Sequence, residues 1–160
     1  MSMDRRLLLG CAAGLGICIS RGNAAEIDPE QIVDYGAAID VDRLSPGDWL
    51  IARLEGKPVF VRRRTPDEIQ AARDAPLADL PDPERDEDRA PDKEWIVVSG
   101  ACTHAGCTVS GGLGPYQGWL CLCHGSIYDL SGRVRHGPAR KNLAVVRYER
   151  KMNQMILLRS

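Results

Sequence analysis

The sequence predicts an all-β fold, an antiparallel β sandwich rich in loops and preceded by a short N-terminal hydrophobic helix. Three observations predict it. Short runs of alternating and β-branched residues recur between Gly- and Pro-rich turns. Within the globular part, one segment alone carries the start signals of a helix. The chain has 160 residues, of which 44% are hydrophobic, enough for one modest core and too many for wholesale disorder. With one Phe, four Tyr and three Trp, that core must be filled mainly by aliphatic side chains. A formal net charge of −1, from 21 basic and 22 acidic residues, leaves no footprint for nucleic acid, and no nucleic-acid partner is expected.

The elements follow in chain order. Arg5 and Arg6 precede an apolar run from Leu7 to Ile19. Thirteen residues of helix span roughly 20 Å, short of a hydrocarbon core of about 30 Å, so residues 1–20 read as a twin-arginine-type export signal or a short membrane anchor. Cys11 and Cys18 inside the run read as small apolar residues. Residues 21–36 are small, polar and charged, and read as a flexible hinge linker. The head is expected over 37–160. Strands are predicted at Ile39–Arg43, Trp49–Leu54, Pro58–Arg63, Trp95–Ser99, Gln117–Cys121, Ser126–Asp129, Leu143–Glu149 and Gln154–Arg159. Glu55, Gly56 and Lys57 form a predicted turn, and Arg150 to Asn153 a predicted hairpin loop. Thr65, Pro66 and Glu68 predict a helix start with a capping box, the helix running to about Arg73.

Residues 74–94 hold four prolines and little periodicity, and read as an irregular surface excursion. They carry nine acidic side chains against three basic ones, whereas 95–160 carries two acidic against eight basic. Two readings of that asymmetry stand: solvated surface on both stretches, or a basic half that faces an anionic partner or membrane surface.

The chemistry concentrates in two loops. Four of the six Cys and two of the three His fall between Cys102 and His124. The first loop reads Cys102-Thr103-His104-Ala105-Gly106-Cys107, and the second Cys121-Leu122-Cys123-His124-Gly125-Ser126. The pattern is Cys-x-His and Cys-x-x-His with sixteen residues between them, plus one further Cys in each loop. Four readings apply. Haem attachment needs Cys-x-x-Cys-His, and Cys121 to His124 is one residue short. A structural zinc site of two Cys and two His is chemically possible but leaves the additional cysteine pair unexplained. Disulfide stapling leaves both histidines as surface residues. A [2Fe–2S] cluster with two Cys on one iron and two His on the other uses all four recurring residues. His136 lies outside the two loops and reads as a surface residue.

The two loops resemble the ligand boxes of Rieske iron–sulfur proteins, and the additional cysteine pair makes the resemblance one to the cytochrome bc1 branch, proteobacterial type. It extends to Pro46-Gly47, to Lys57 through Thr65, to Gly118-Trp119, Tyr128-Asp129 and Gly132-Arg133, and to Gly137-Pro138-Ala139 with Asn142-Leu143. The resemblance implies a Rieske-type sandwich head with its cluster-binding part at about 100–140. It implies one [2Fe–2S] cluster with metal ligands Cys102, His104, Cys121 and His124, and a Cys107–Cys123 disulfide. Ser126 and Tyr128 match residues whose hydroxyls hydrogen-bond the cluster. His124 is the implied quinol contact and proton acceptor, with His104 beside it. The implied activity is that of the electron-transfer subunit of a multi-subunit quinol–cytochrome c reductase, with cytochrome b- and cytochrome c1-type partners and quinol as substrate. The implied location is the bacterial inner membrane, head on the periplasmic side. A soluble periplasmic Rieske carrier, or the small subunit of another oxidoreductase, is the alternative; a zinc-stabilised binding module is a third class.

Charge explains the mixed ligands. Two ferric ions and two sulfides carry a residual positive charge that two thiolates cancel, whereas four thiolates leave a dianion. A neutral centre accepts an electron more readily, at roughly −150 to +300 mV against about −400 mV for all-Cys plant-type clusters. A ligated imidazole also keeps a second nitrogen on which a proton can come and go. The chain departs from the family pattern at four places. Ala105 stands where Leu is usual, Leu122 where Pro is usual, Ile127 where His is common, and Arg140 where a second Pro is usual. The loss of bulk at Ala105 predicts a wetter cluster and a smaller docking face.

Overall fold

The computed structural model describes residues 38–42 and 44–158. The N-terminal export or anchor segment and the hinge lie outside the described residues. Three antiparallel sheets stack in layers. β1 (Ala38–Asp40), β10 (Gln154–Leu157) and β9 (Tyr148–Lys151) form the first, in the order β1-β10-β9. β2 (Trp49–Leu54), β3 (Lys57–Arg63) and β4 (Trp95–Ser99) form the second. β5 (Ser110–Gly111), β6 (Trp119–Cys121), β7 (Ser126–Tyr128) and β8 (Val134–His136) form the third.

The middle sheet explains the layering. Its side chains alternate between faces, and both faces are apolar. Trp49, Phe60, Ile96 and Val98 point to one core together with Trp119, Tyr128, Val134 and Leu143 of the third sheet and its loops. Leu50, Ala52, Val59, Val61, Trp95 and Val97 point to the other core with Ile39, Met155 and Leu157 of the first sheet. Phe60 sits between Trp49 and Trp119, with ring centroids 5.5 and 5.9 Å away. Trp49, Phe60, Trp119 and Tyr128 thus gather where the third sheet rests on the middle one.

The predicted sandwich is observed, with changes at element ends. β2 and β4 match the predicted spans, and β3 begins one residue early at Lys57 because Glu55 and Gly56 alone make the turn, both at positive φ. The β9–β10 hairpin also closes on two residues, Met152 and Asn153, so Arg150 and Lys151 are strand and not loop. Residues 143–147 are not the strand expected there. They run beside β4 through single contacts, a Val98–Val145 bridge and bonds from Ser99 N to Ala144 O and from Val146 N to Val97 O. β5 and β8 carried too little β-branched alternation to stand out in the sequence.

α1 (Pro66–Asp74) starts on the predicted capping box: Thr65 accepts from Glu68 N, and the Glu68 carboxylate accepts from Thr65 N. Residues 74–94 run mostly along the surface, as expected, but are neither wholly irregular nor unanchored. They form a 3₁₀ turn (Leu77–Asp79) and α2 (Asp86–Arg89), and they bury Leu80, Asp86, Arg89 and Ala90. Sequence periodicity missed this because half of the buried residues, Asp86 and Arg89, are charged. Asp86 pairs with Arg64 at 2.6 Å, both side chains fully buried, and accepts from the Ser131 hydroxyl. Arg89 donates to the carbonyls of Ser131 and Leu143, at 2.5 Å each. Arg133 pairs with Asp129 and donates to Ala72 O. The segment therefore straps the 129–143 stretch to the body of the head. The charge asymmetry is answered in part within the molecule, since Asp82 meets Lys141 and Asp92 meets Arg150.

Candidate metal centre

The two Cys/His loops meet at one end of the third sheet. The first loop runs from Cys102 to Cys107, closed by Cys102 N to Cys107 O (2.8 Å), Gly106 N to Cys102 O (2.8 Å) and an Ala101–Thr108 bridge. The second is the β6–β7 turn, closed by Gly125 N to Cys121 O at 2.9 Å. Gly106 and Gly125, at φ of 78° and 75°, make these tight returns possible. Cys107 and Cys123 form a disulfide that ties the loops together.

Burial separates the four remaining residues. Cys102 and Cys121 are 3% and 1% exposed and carry free thiols, whereas His104 and His124 are exposed. The imidazole centroids lie 4.8 Å apart, edge to face. The sulfurs of Cys107, Cys121 and Cys123 lie within 4.8 Å of one another, but two of them are bonded to each other and offer no thiolate. The donor set left is two buried, neighbouring thiols and two outward imidazoles. That composition fits a [2Fe–2S] centre held half in the protein and half at its surface.

The thiols are electrostatically prepared. Burial opposes ionisation of Cys102, yet hydrogen bonds from Tyr128, the His104 backbone, Cys121 and Ser126 bring its thiol below the ordinary value. Cys121 is pushed up, by burial first and then by its hydrogen bond to Cys102. Burial, then the bond to Cys102, raises the Tyr128 phenol to about 12, so it stays a donor. Its oxygen lies 3.3 Å from Cys102 Sγ. Ser126 is fully buried, and its hydroxyl accepts from Ala139 N at 3.2 Å while facing Cys102. Gly137 explains this fit: a Cβ there meets Ser126 Cα at 2.6 Å.

Thr103 was not singled out by sequence reasoning, although it stands between two candidate ligands. Its hydroxyl donates to Lys141 O at 2.6 Å and lies 3.0 Å from the Tyr128 hydroxyl, and its N–H donates to the same phenolic oxygen at 3.2 Å. The four departures sit around the loops. Ala105 and Arg140 are exposed, Ile127 is half-buried, and Leu122 is 71% exposed, so an apolar side chain does stand out at the tip, from the second loop. His136 is exposed as expected, at the end of β8 rather than in a loop.

The model of the Rieske [2Fe-2S] domain family matches residues 35–147. The chain belongs to the Rieske family. Among its relatives, the mitochondrial cytochrome b-c1 complex subunit Rieske of Schizosaccharomyces pombe is 46% identical over 121 residues, covering 76% of this chain and 53% of that protein. The Neurospora crassa protein of the same name is 50% identical over 111 residues, covering 69% and 48%. This Rieske chain thus spans about half the length of the curated relatives it matches. A solved cyanobacterial plasma membrane Rieske protein from Synechocystis is 20% identical, with a TM-score of 0.46, over 68% of this chain and 84% of that one. The Rieske domain carries one [2Fe–2S] cluster.

Proposed function

We propose that this chain is the electron-transfer subunit of a bc1-type quinol–cytochrome c reductase. In this reading Cys102 and Cys121 hold one iron, His104 and His124 the other, and His124 meets quinol and takes its proton with His104 beside it. One observation carries the reading: two exposed imidazoles, 4.8 Å apart, stand over two buried thiols on loops tied by a disulfide. The cluster, when bound, supplies one-electron redox chemistry.

The chain's own residues do the rest. Burial keeps water from the cysteine sulfurs. Tyr128 and Ser126 offer hydrogen bonds that favour added negative charge on sulfur. The imidazoles face outward, so the nitrogen left free by ligation can receive a proton from a hydroxyl docked at the tip. The exposed Leu122 beside them offers an apolar contact to such a docking site. Cytochrome b- and cytochrome c1-type subunits are the proposed partners, because the relatives are named as cytochrome b-c1 complex subunits. The proposed location is the bacterial inner membrane with a periplasmic head. The Arg5-Arg6 pair before the apolar run supports it, as does a disulfide that requires an oxidising compartment. Residues 1–20 are then the signal or anchor, 21–36 the hinge, and 37–160 the Rieske head.

The test has two arms. Dithionite-reduced protein should give an electron paramagnetic resonance signal that His104→Ala or His124→Ala abolishes; a silent, colourless protein overturns the cluster assignment. Detergent-solubilised membranes should yield the chain together with b- and c-type haem proteins. Recovery as a free soluble protein overturns the reductase assignment and leaves a soluble carrier.

A further inference from the structure

The peptide unit joining Lys141 and Asn142 is held at both ends. Its N–H donates to Asp82 Oδ2 at 2.9 Å, and its carbonyl receives the Thr103 hydroxyl at 2.6 Å. Asp82 Oδ1 also accepts from Lys141 Nζ at 3.2 Å, and Asp82 O from Asn142 Nδ2 at 3.0 Å. A trans peptide is planar, so fixing the direction of its N–H fixes the opposite direction of its C=O. A carboxylate on the N–H also polarises the unit and strengthens the carbonyl as an acceptor. Val134 N and Glu84 Oε2 hold the Asn142 side chain, at 2.9 and 3.0 Å, while the Asp82 carboxylate alone takes the peptide N–H that sets the direction of the carbonyl facing Thr103.

Thr103 in turn fences Tyr128. Its hydroxyl has one proton, and the Lys141 carbonyl, which can only accept, takes it. Thr103 then presents to the tyrosine an N–H at 3.2 Å and, at 3.0 Å, a hydroxyl oxygen that can still accept, but a ligating Cys102 thiolate, being charged, is the stronger acceptor of the phenol proton. The phenol, with one proton of its own, lies 3.3 Å from Cys102 Sγ.

We propose that Asp82 is a positioning residue for the Tyr128–Cys102 hydrogen bond, acting through the Lys141–Asn142 peptide and Thr103, and that it thereby raises the potential of the cluster. The proposal rests on the cluster reading above. Asp82 lies twenty residues before Cys102, on the acidic strap, and touches no candidate ligand. Losing its two acceptor oxygens leaves the peptide N–H without its acceptor; the Asn142 side chain stays held by Val134 N, Glu84 and Asp82 O, so the peptide plane tilts about that anchor and loosens its grip on the Thr103 hydroxyl. The tyrosine hydroxyl then loses the neighbour that sets its distance from sulfur. Charge alone predicts the opposite sign, because deleting a nearby anion makes reduction easier.

The experiment measures the midpoint potential of the full-length, cluster-containing protein. Asp82→Ala should lower it. Asp82→Asn, which removes the same charge but keeps one acceptor for the peptide N–H, should recover most of the loss. Asp92→Ala, on the same strap but paired with Arg150, should leave it unchanged. Tyr128→Phe should lower it as well, and Asp82→Ala should add nothing in that background. A potential that rises or stays put in Asp82→Ala overturns the proposal, as does an equal fall in the Tyr128→Phe background. If Asp82→Ala does not retain the cluster, Asp82→Glu decides: the charge stays and the carboxylate moves by one methylene, so a fall supports the proposal and an unchanged potential overturns it. Absence of iron from the wild-type protein removes the cluster reading and this proposal with it; an iron-containing protein indifferent to Asp82 removes this proposal alone.

Discussion

Tyr128 has one hydroxyl proton, and the residue that most influences where it goes is the neighbour of a candidate ligand. With the Thr103 proton on Lys141 O, the phenol has two acceptors in reach, the Thr103 oxygen and Cys102 Sγ, and an ionised sulfur is the stronger of the two. Such a bond strengthens when sulfur gains negative charge. Removing it with Tyr128→Phe should lower the midpoint potential. A difference of about 1 kcal/mol between oxidation states corresponds to roughly 40 mV for one electron, and redox titration reads it directly. Asp82 supplies a second prediction at this scale. Its carboxyl lies below the ordinary value of 3.8, chiefly through the Asn142 N–H, with burial opposing and Lys141 assisting. A depressed folded-state value means stability that is present above 3.8 and lost as pH falls through the folded value. The stability gap between wild type and Asp82→Ala should therefore be full at neutral pH and shrink as pH drops below 3.8, read by urea unfolding at each pH.

Charged pairs do at the element scale what apolar stripes usually do. The strap at 74–94 has few apolar side chains to bury, and it docks through Asp86, Arg89 and the carbonyls they reach. Arg64 and Asp86 are both fully buried, so removing one partner strands the other. Asp86→Ala should cost about 3–5 kcal/mol in urea unfolding. Paired replacement by well-packed apolar residues should cost far less, which separates the value of the pair from the penalty of a lone charge. The Cys107–Cys123 disulfide closes a loop of sequence separation 16. Cys107→Ser with Cys123→Ser should lose about 3 kcal/mol of stability and release iron faster to a chelator.

Across the whole molecule, the middle sheet divides stability from site geometry. Val97 and Val98 are adjacent and equally buried, yet they face different cores. Truncation to Ala removes the equivalent of about two methylenes, so each should cost roughly 2 kcal/mol. Val98→Ala, under the cluster-loop sheet, should also shift the paramagnetic signal or hasten cluster loss. Val97→Ala, facing Met155 and Leu157, should leave both unchanged.

Local pattern determined the strands with strong alternation, the capping box at Thr65, and the two Cys/His loops, because each depends on neighbours a few residues apart. The family resemblance carried by those loops also implied the Cys107–Cys123 pairing that the structure contains. The roles of Asp82, Asp86, Arg89 and Thr103 were illegible, because each is defined by a partner dozens of residues away: Lys141, Arg64, Leu143 and Tyr128. A charged side chain reads as solvated surface until the fold supplies a buried counter-charge or an unpaired carbonyl. Only the tertiary structure brought these together, and it turned an apparent acidic excursion into the support of the metal centre.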